Sequence, residues 1–391
     1  MLHGNPALVR DNKLWVDRKF VTGMAEYGKH LEGQEIVSYH PRLKWENREA
    51  IMDLTGVPIS DLGFRVESIE MDPKWRPAQG ELTRVTPQIQ ASSVVYGGGF
   101  GIDQMAINLG IPLVLIMEYN FLTQVEFSMA NLNGVPRKAL RCAKLTKTYL
   151  SYAFSTVRKA SLIHCNGYPI YDEVKAFNSK RLLYLDSRMQ KDTLIEKSTL
   201  DERLKVTRPM QLIYSGRFEP AKGTLDAIFV AIALKKKGVP FELDLYGQGS
   251  LDAQMRELTK TAGISDIVRV HSAIDYPSLL KISQQKDAFL CCHVQDDPSC
   301  TYLEAMGCGL PVIGYGNRML AKVCESSKAG LYAKKKPAAV ADLLAKLSEQ
   351  PEELKRLSRA ARRFAEAHTF ESEFARRMQS LREIAGMEAS R

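Results

Sequence analysis

Two α/β domains built on mostly parallel sheets are the fold class that this sequence predicts. Two observations predict it. Short apolar runs alternate with helix-like stretches throughout the C-terminal half, and a looser alternation fills the N-terminal half. Such alternation builds right-handed strand–helix–strand units and mostly parallel, doubly wound sheets. Ligands of open sheets bind beyond the carboxyl ends of the strands, and the candidate residues named below fall at such ends.

Taken in order, Met1-Leu2-His3 precede Gly4-Asn5-Pro6, so the first strand is either very short or trimmed. Glu35–Tyr39, Ser93–Tyr96, Leu113–Ile116 and Ser161–His164 follow as strands. Between Leu185 and Arg208 apolar periodicity fades and charges cluster, which sets the domains at 1–205 and 206–372. Residues 373–391 form a C-terminal helix expected to return toward the first domain. In the second domain, strand Gln211–Tyr214 leads to helix Thr224–Lys237. Strand Phe241–Tyr246 leads through Gly247-Gln248-Gly249 to a helix ending at Ala262. Val268–Val270 and Ala288–Cys292 are strands separated by helix Tyr276–Gln285, Leu310–Gly314 is a further strand, and helices Lys336–Ser348 and Glu352–His368 finish the domain.

With 391 residues, 45% of them hydrophobic and 25% charged, the composition is that of a globular protein large enough for two cores. No apolar run approaches the roughly 20 residues needed to span a bilayer, and the N-terminus lacks the regions of a secretory signal, so a cytoplasmic placement is expected. Seven cysteines without a CxxC pair exclude a disulfide framework. Cys291-Cys292-His293 ends an apolar strand and reads as buried thiols rather than a metal site. The net charge of +9 admits acidic partners. No Asp or Glu occurs from Phe127 to Tyr171, where Arg137, Lys138, Arg141, Lys144, Lys147, Arg158 and Lys159 are interleaved with apolar residues. This 137–159 helix either touches an anionic membrane surface or packs its apolar side on its own core. Motifs for nucleic-acid recognition are missing.

Chemistry concentrates in Asp296-Asp297-Pro298-Ser299-Cys300-Thr301-Tyr302-Leu303-Glu304, followed by Ala305-Met306-Gly307-Cys308-Gly309-Leu310-Pro311-Val312-Ile313. It reads as a strand end, a small-residue loop, a helix start and a second strand. A helix start offers unpaired N–H groups to a phosphate, while two bracketing acids suit sugar hydroxyls, so a nucleotide sugar fits both. A second loop, Ser215-Gly216-Arg217-Phe218-Glu219-Pro220-Ala221-Lys222-Gly223, supplies a guanidinium fork and a mobile ammonium for a diphosphate, with Gly216 and Gly223 permitting close backbone approach.

Together these motifs resemble retaining glycosyltransferases of family four (glycosyl transferases group 1), and the resemblance runs from about Gln211 to Phe374. It implies GT-B architecture, two Rossmann-like domains facing a cleft, and hexosyltransferase-like chemistry. By that resemblance Glu304 would hold the ribose hydroxyls and Asp296 the transferred sugar. The amides of Ser299, Cys300 and Thr301, with Arg217 and Lys222, would hold the phosphates. Gly247 belongs to the family's Gly-x-Gly turn, and the loop from His271 to Ile274 would border the base. The family usually has Glu where this chain has the shorter Asp296. Arg217, Lys222 and Asp296 would act in catalysis, with cations doing the work of a metal, so neither a metal nor another cofactor is expected, the Asp296-Asp297 pair included.

In the first domain Gly97-Gly98-Gly99-Phe100-Gly101 leads into helix Ile102–Leu109, so Gly98 and Gly99 either line the cleft on the acceptor side or form only a tight turn. Glu118, at a strand end, is an acceptor contact or a helix cap. His164 reads as a structural histidine. The expected activity is transfer of a sugar from a nucleoside diphosphate to a glycan or lipid-linked acceptor in surface polysaccharide or glycolipid synthesis, peripherally on the inner face of a membrane. A GT-B nucleotide-sugar epimerase and a non-catalytic binding partner are the alternatives.

Overall fold

A computed structural model describes residues 1–387 apart from 3, 5, 52, 53, 130, 131, 133, 207 and 297. His3 and Asn5 of the opening segment, and Asp297, therefore lie outside the described residues. The first domain contains β1 (Leu8–Arg10), β2 (Lys13–Asp17), α1 (Arg18–His30), β3 (Val37–Pro41), β4 (Leu54–Pro58), β5 (Arg65–Ile69) and α2 (Glu81–Gln90). It continues with β6 (Val95–Tyr96), α3 (Ile102–Asn108), β7 (Leu113–Met117), α4 (Phe121–Met129), α5 (Val135–Ser155), β8 (Leu162–Asn166), α6 (Tyr168–Val174) and β9 (Arg181–Tyr184), and α7 (Lys197–Arg203) follows on the second domain.

Met1 and Leu2 form a stub, with Leu2 in an isolated bridge, at the place of a first strand. Leu2 N–H donates to Tyr96 O at 2.8 Å and Tyr39 N–H to Met1 O at 2.9 Å, so this stub joins β3 to β6. The parallel order becomes β5-β3-stub-β6-β7-β8-β9. The sequence reading missed an antiparallel sheet, β1-β2-β4, whose tight turn carries Asp11 and Asn12 at φ 52° and 56°. Left-handed conformation at both turn residues matches the right-handed twist of the hairpin.

The second domain contains β10 (Met210–Ser215), α8 (Thr224–Lys236), β11 (Phe241–Tyr246), α9 (Asp252–Thr261), β12 (Val268–His271), α10 (Tyr276–Ser283), β13 (Ala288–Cys291) and α11 (Thr301–Gly307). Then come β14 (Val312–Tyr315), α12 (Arg318–Ser327), β15 (Gly330–Ala333), α13 (Pro337–Ser348), α14 (Pro351–Ala367) and α15 (Phe370–Ile384). All six strands run parallel in the order β12-β11-β10-β13-β14-β15. The order reverses between β10 and β13, which opens a crevice beyond their carboxyl ends. Ala227, Val230, Val340 and Leu344 of α8 and α13 cover one face of the sheet, and Leu280, Met306, Leu320 and Ala361 of α10, α11, α12 and α14 the other.

The chain crosses between domains twice. The first crossing, near Leu185–Met189, precedes residue 206: Ile195 N–H already donates to Gly307 O at 2.9 Å, and Arg203 donates to Cys308 O and Gly309 O at 2.9 and 2.7 Å. The second crossing enters α15, whose Phe374, Met378 and Leu381 are buried in the first domain's core beside Tyr27 and Tyr96. Phe370 N–H donates to Met189 O at 2.8 Å, so the two crossings are bonded to each other.

Candidate functional site

Loops after β10, β11 and β13 meet at the crevice. Phe218 anchors the first: it is buried, its N–H donates to Gln248 O at 2.9 Å, and its carbonyl accepts from Leu251 N–H at 3.0 Å. Glu219 binds Ser250 through its backbone N–H and its Oγ, at 3.1 and 2.7 Å. A Cβ on Gly223 (φ +60°) would lie 1.9 Å from Cys292 O, and one on Gly247 2.0 Å from Gly216 O, so glycine is required at both places. The loop is thereby fixed, with Arg217 exposed and Lys222 half-buried on a short 3-10 turn.

From β13 the chain passes Asp296 and reaches Ser299, Cys300 and Thr301 at the start of α11, with Ser299 Oγ 2.7 Å from Thr301 Oγ1. Burial pushes the Cys300 thiol up to about 12, which keeps it neutral at pH 7. Beyond β12, Ile274 is exposed, and the Tyr246 ring stacks on His271 with centroids 4.4 Å apart.

Both acids of the motif are held by arginines. Glu304, buried on α11, accepts from Arg188 Nε and Nη2 at 2.8 and 3.2 Å, and the Arg188 guanidinium lies 4.3 Å over the Tyr276 ring. Tyr276 Oη is buried with no hydrogen-bond partner among the described residues. Asp296, also buried, accepts from the backbone N–H and Nε of Arg318 at 2.6 and 2.7 Å. Arg188 and Arg318 escaped the sequence reading. They stand 116 and 22 residues from their partners, and no local motif marks them.

Across the cleft, Gly98, Gly99 and Glu118 line one cavity of about 300 Å³ together with Ile116, Met117, Tyr119, Gln124 and Tyr152. Asp103 shapes its rim by accepting from Gly99 N–H and Tyr152 Oη at 3.1 and 2.9 Å. A neighbouring cavity of about 200 Å³ shares Met117, Gln124 and Tyr152 and adds Phe121, Leu145 and Tyr149. Glu126 on α4 faces Asp296, Lys335 and Arg318, and burial, then Asp296, raises its carboxyl above the usual range. His164 is buried between Tyr96 Oη and Ser380 Oγ at 3.2 and 2.8 Å, an interior position. Among the described residues no cluster of three His, Cys, Asp or Glu side chains could hold a metal.

Two doubly wound sheets facing a cleft, with the loops after β10, β11 and β13 at the crevice of the second, define the GT-B architecture. Solved structures share it. HepE of Anabaena, crystallised with UDP, aligns over 93% of this chain and 95% of its own at a TM-score of 0.63 and 14% identity. A glycosyltransferase from Rickettsia africae aligns over 94% of both chains at a TM-score of 0.65 and 11% identity. Residues 196–364 match the family of glycosyl transferases group 1. The amylovoran biosynthesis glycosyltransferase AmsK of Erwinia amylovora is 25% identical over 217 residues, which is 48% of this chain and 51% of AmsK. The match thus spans about half the length of that relative.

Proposed function

We propose that this protein transfers a sugar from a nucleoside diphosphate to a glycan or lipid-linked acceptor, with retention of configuration and without a metal, in surface polysaccharide or glycolipid synthesis. One observation carries the reading. A fixed cationic loop, a helix start and two buried acids converge on the crevice of one domain, opposite a cavity lined by Gly98, Gly99 and Glu118 of the other. AmsK's role in amylovoran biosynthesis supports the glycan setting, and UDP bound to HepE makes UDP the first donor base to test.

In this reading Glu304 holds the ribose through the lone pairs that Arg188 leaves open. Arg217, Lys222 and the amides of Ser299, Cys300 and Thr301 face the diphosphate. As the bond from anomeric carbon to phosphate oxygen breaks, its electron pair passes to the diphosphate, and the two cations stabilise that charge where it develops. The acceptor hydroxyl attacks the same face, and its proton passes to the departing phosphate oxygen. Asp296 contacts the sugar.

The setting we propose is the cytoplasmic face of a membrane. Val135 and Leu140 on α5 are 80% and 74% exposed, beside exposed Arg137, Lys138, Arg141, Lys144 and Lys147. Apolar side chains flanked by cations suit an anionic interface. No helix among the described residues is long and apolar enough to cross a membrane. The protein should sediment with anionic but not neutral vesicles, and failure to bind anionic vesicles removes the membrane contact.

Thermal-shift titration with UDP, GDP and ADP tests the donor site, since binding raises the melting temperature. Lys222→Ala should weaken the best nucleoside diphosphate about 10- to 100-fold, the loss of one charge-assisted phosphate contact. Absence of any shift refutes the reading. An epimerised sugar recovered from donor alone would favour the epimerase.

A further inference from the structure

Arg318 occupies the sugar end of the crevice with part of its guanidinium still available. Its backbone N–H and Nε bind the two Asp296 oxygens, and among the described residues neither Nη has a partner. The Asp296 side chain is 8% exposed, whereas that of Arg318 is 52% exposed. The free Nη edge therefore projects beyond the carboxylate it holds. Lys335, which donates to Val294 O two residues before Asp296, brings a second cation to this place. Glu126 faces both cations from the first domain, so the group borders the space between the domains rather than an outer surface.

A sugar with only hydroxyls is best met by acceptors. Here Asp296 has one bond already on each oxygen, and beyond it lie the donors of Arg318 and Lys335, with the Glu126 carboxyl opposite and Asp172 and Glu173 lining the cavity that Arg318 borders. A guanidinium edge matches a carboxylate in two parallel hydrogen bonds, a fit that an ammonium or a neutral donor does not reproduce. One Arg bridging Asp296 and a substrate carboxylate also keeps the two anions from meeting directly. We infer that Arg318 recognises an acid group at the reacting centre: the substrate is a uronic-acid type sugar, read through its carboxylate. The inference rests on the reading above that Asp296 marks the sugar end of the donor site. The carboxylate is borne either by the transferred sugar or by the acceptor sugar beside it.

Isothermal titration with UDP, UDP-glucose and UDP-glucuronate, on wild type, Arg318→Met and Arg318→Lys, separates these sources. If the donor carries the acid, wild type binds UDP-glucuronate about 10- to 100-fold more tightly than UDP-glucose, the size of one bidentate charged contact. Arg318→Met then closes that gap and Arg318→Lys restores part of it. If the acceptor carries the acid, the two donors bind alike, and Arg318→Met raises KM about 10- to 100-fold more for a uronate-ended acceptor than for its neutral counterpart. Equal treatment of acidic and neutral compounds by wild type in both arms overturns the inference, as does a preference that survives Arg318→Met. Binding of UDP itself should be the same in all three proteins, which reports that each is folded. A wild type that binds neither UDP nor another nucleoside diphosphate overturns the donor-site reading itself.

Discussion

Replacing Arg188 with alanine removes two hydrogen bonds, 2.8 and 3.2 Å long, from a carboxylate whose side chain is 6% exposed. A charge-assisted bond to a shielded group contributes about 1.5–3 kcal/mol. The Arg188 side chain is 48% exposed, however, and solvent screening lowers the pair's contribution to about 1–2 kcal/mol. Each kcal/mol lost should lower the melting temperature by about 2–4 °C. Glu304 also loses the planar fork that fixes its rotation, so its remaining lone pairs no longer point steadily at a ribose. Calorimetric titration should show UDP binding weakened about 5- to 10-fold, equivalent to roughly 1–1.4 kcal/mol. Arg188→Lys keeps the charge without the fork and should fall between. If Arg188→Ala binds UDP as tightly as wild type, or more tightly, Arg188 does not orient Glu304 for the nucleotide, and the reasoning fails.

Glycine requirements give a paired prediction. Gly223→Ala sets a Cβ 1.9 Å from Cys292 O and should unfold the loop or lower stability by more than about 3 kcal/mol, whereas Gly99→Ala at φ +120° meets open space and should lose only about 1–2 kcal/mol of backbone strain. Denaturant titration distinguishes them, and equal losses would refute the clash argument. His164 gives a pH prediction. Burial first, and Arg377 second, push its imidazole down to about 3, so the folded chain keeps it neutral while the unfolded chain takes up a proton below about 6.5. Stability should therefore fall by about 1.4 kcal/mol per pH unit as pH drops from about 6.5 toward 3. His164→Gln should flatten that part of the profile, and an unchanged slope would show that other groups control it.

The second domain was legible because its strands are buried on both faces. Phe241–Tyr246 coincides with the observed β11, and Gln211–Tyr214 lies wholly inside β10. The first domain was harder. Arg65–Ile69 and Arg181–Tyr184 each carry an arginine into a strand and escaped notice, as did the hairpin that turns at Asp11-Asn12. Loop glycines were readable because their backbones leave no room for a side chain. The arginines on Asp296 and Glu304 were not, because an ion pair closed over 116 residues depends on how two elements pack and leaves no periodic trace. Gly98, Gly99 and Glu118 are separated in sequence yet share a cavity, because β6 and β7 are neighbours in register.

Two crossings tied by the bond from Phe370 to Met189 join the domains at one place. Hinges between domains are a few residues at such joints. Arg188 is the residue next to that bond, and its guanidinium grips Glu304 in the crevice. A swing that shifts residue 188 by about one ångström would stretch both of those hydrogen bonds beyond their working range at once. In the proposed reading, where Glu304 holds the ribose, Arg188 links the hold on the nucleoside to the joint between the domains.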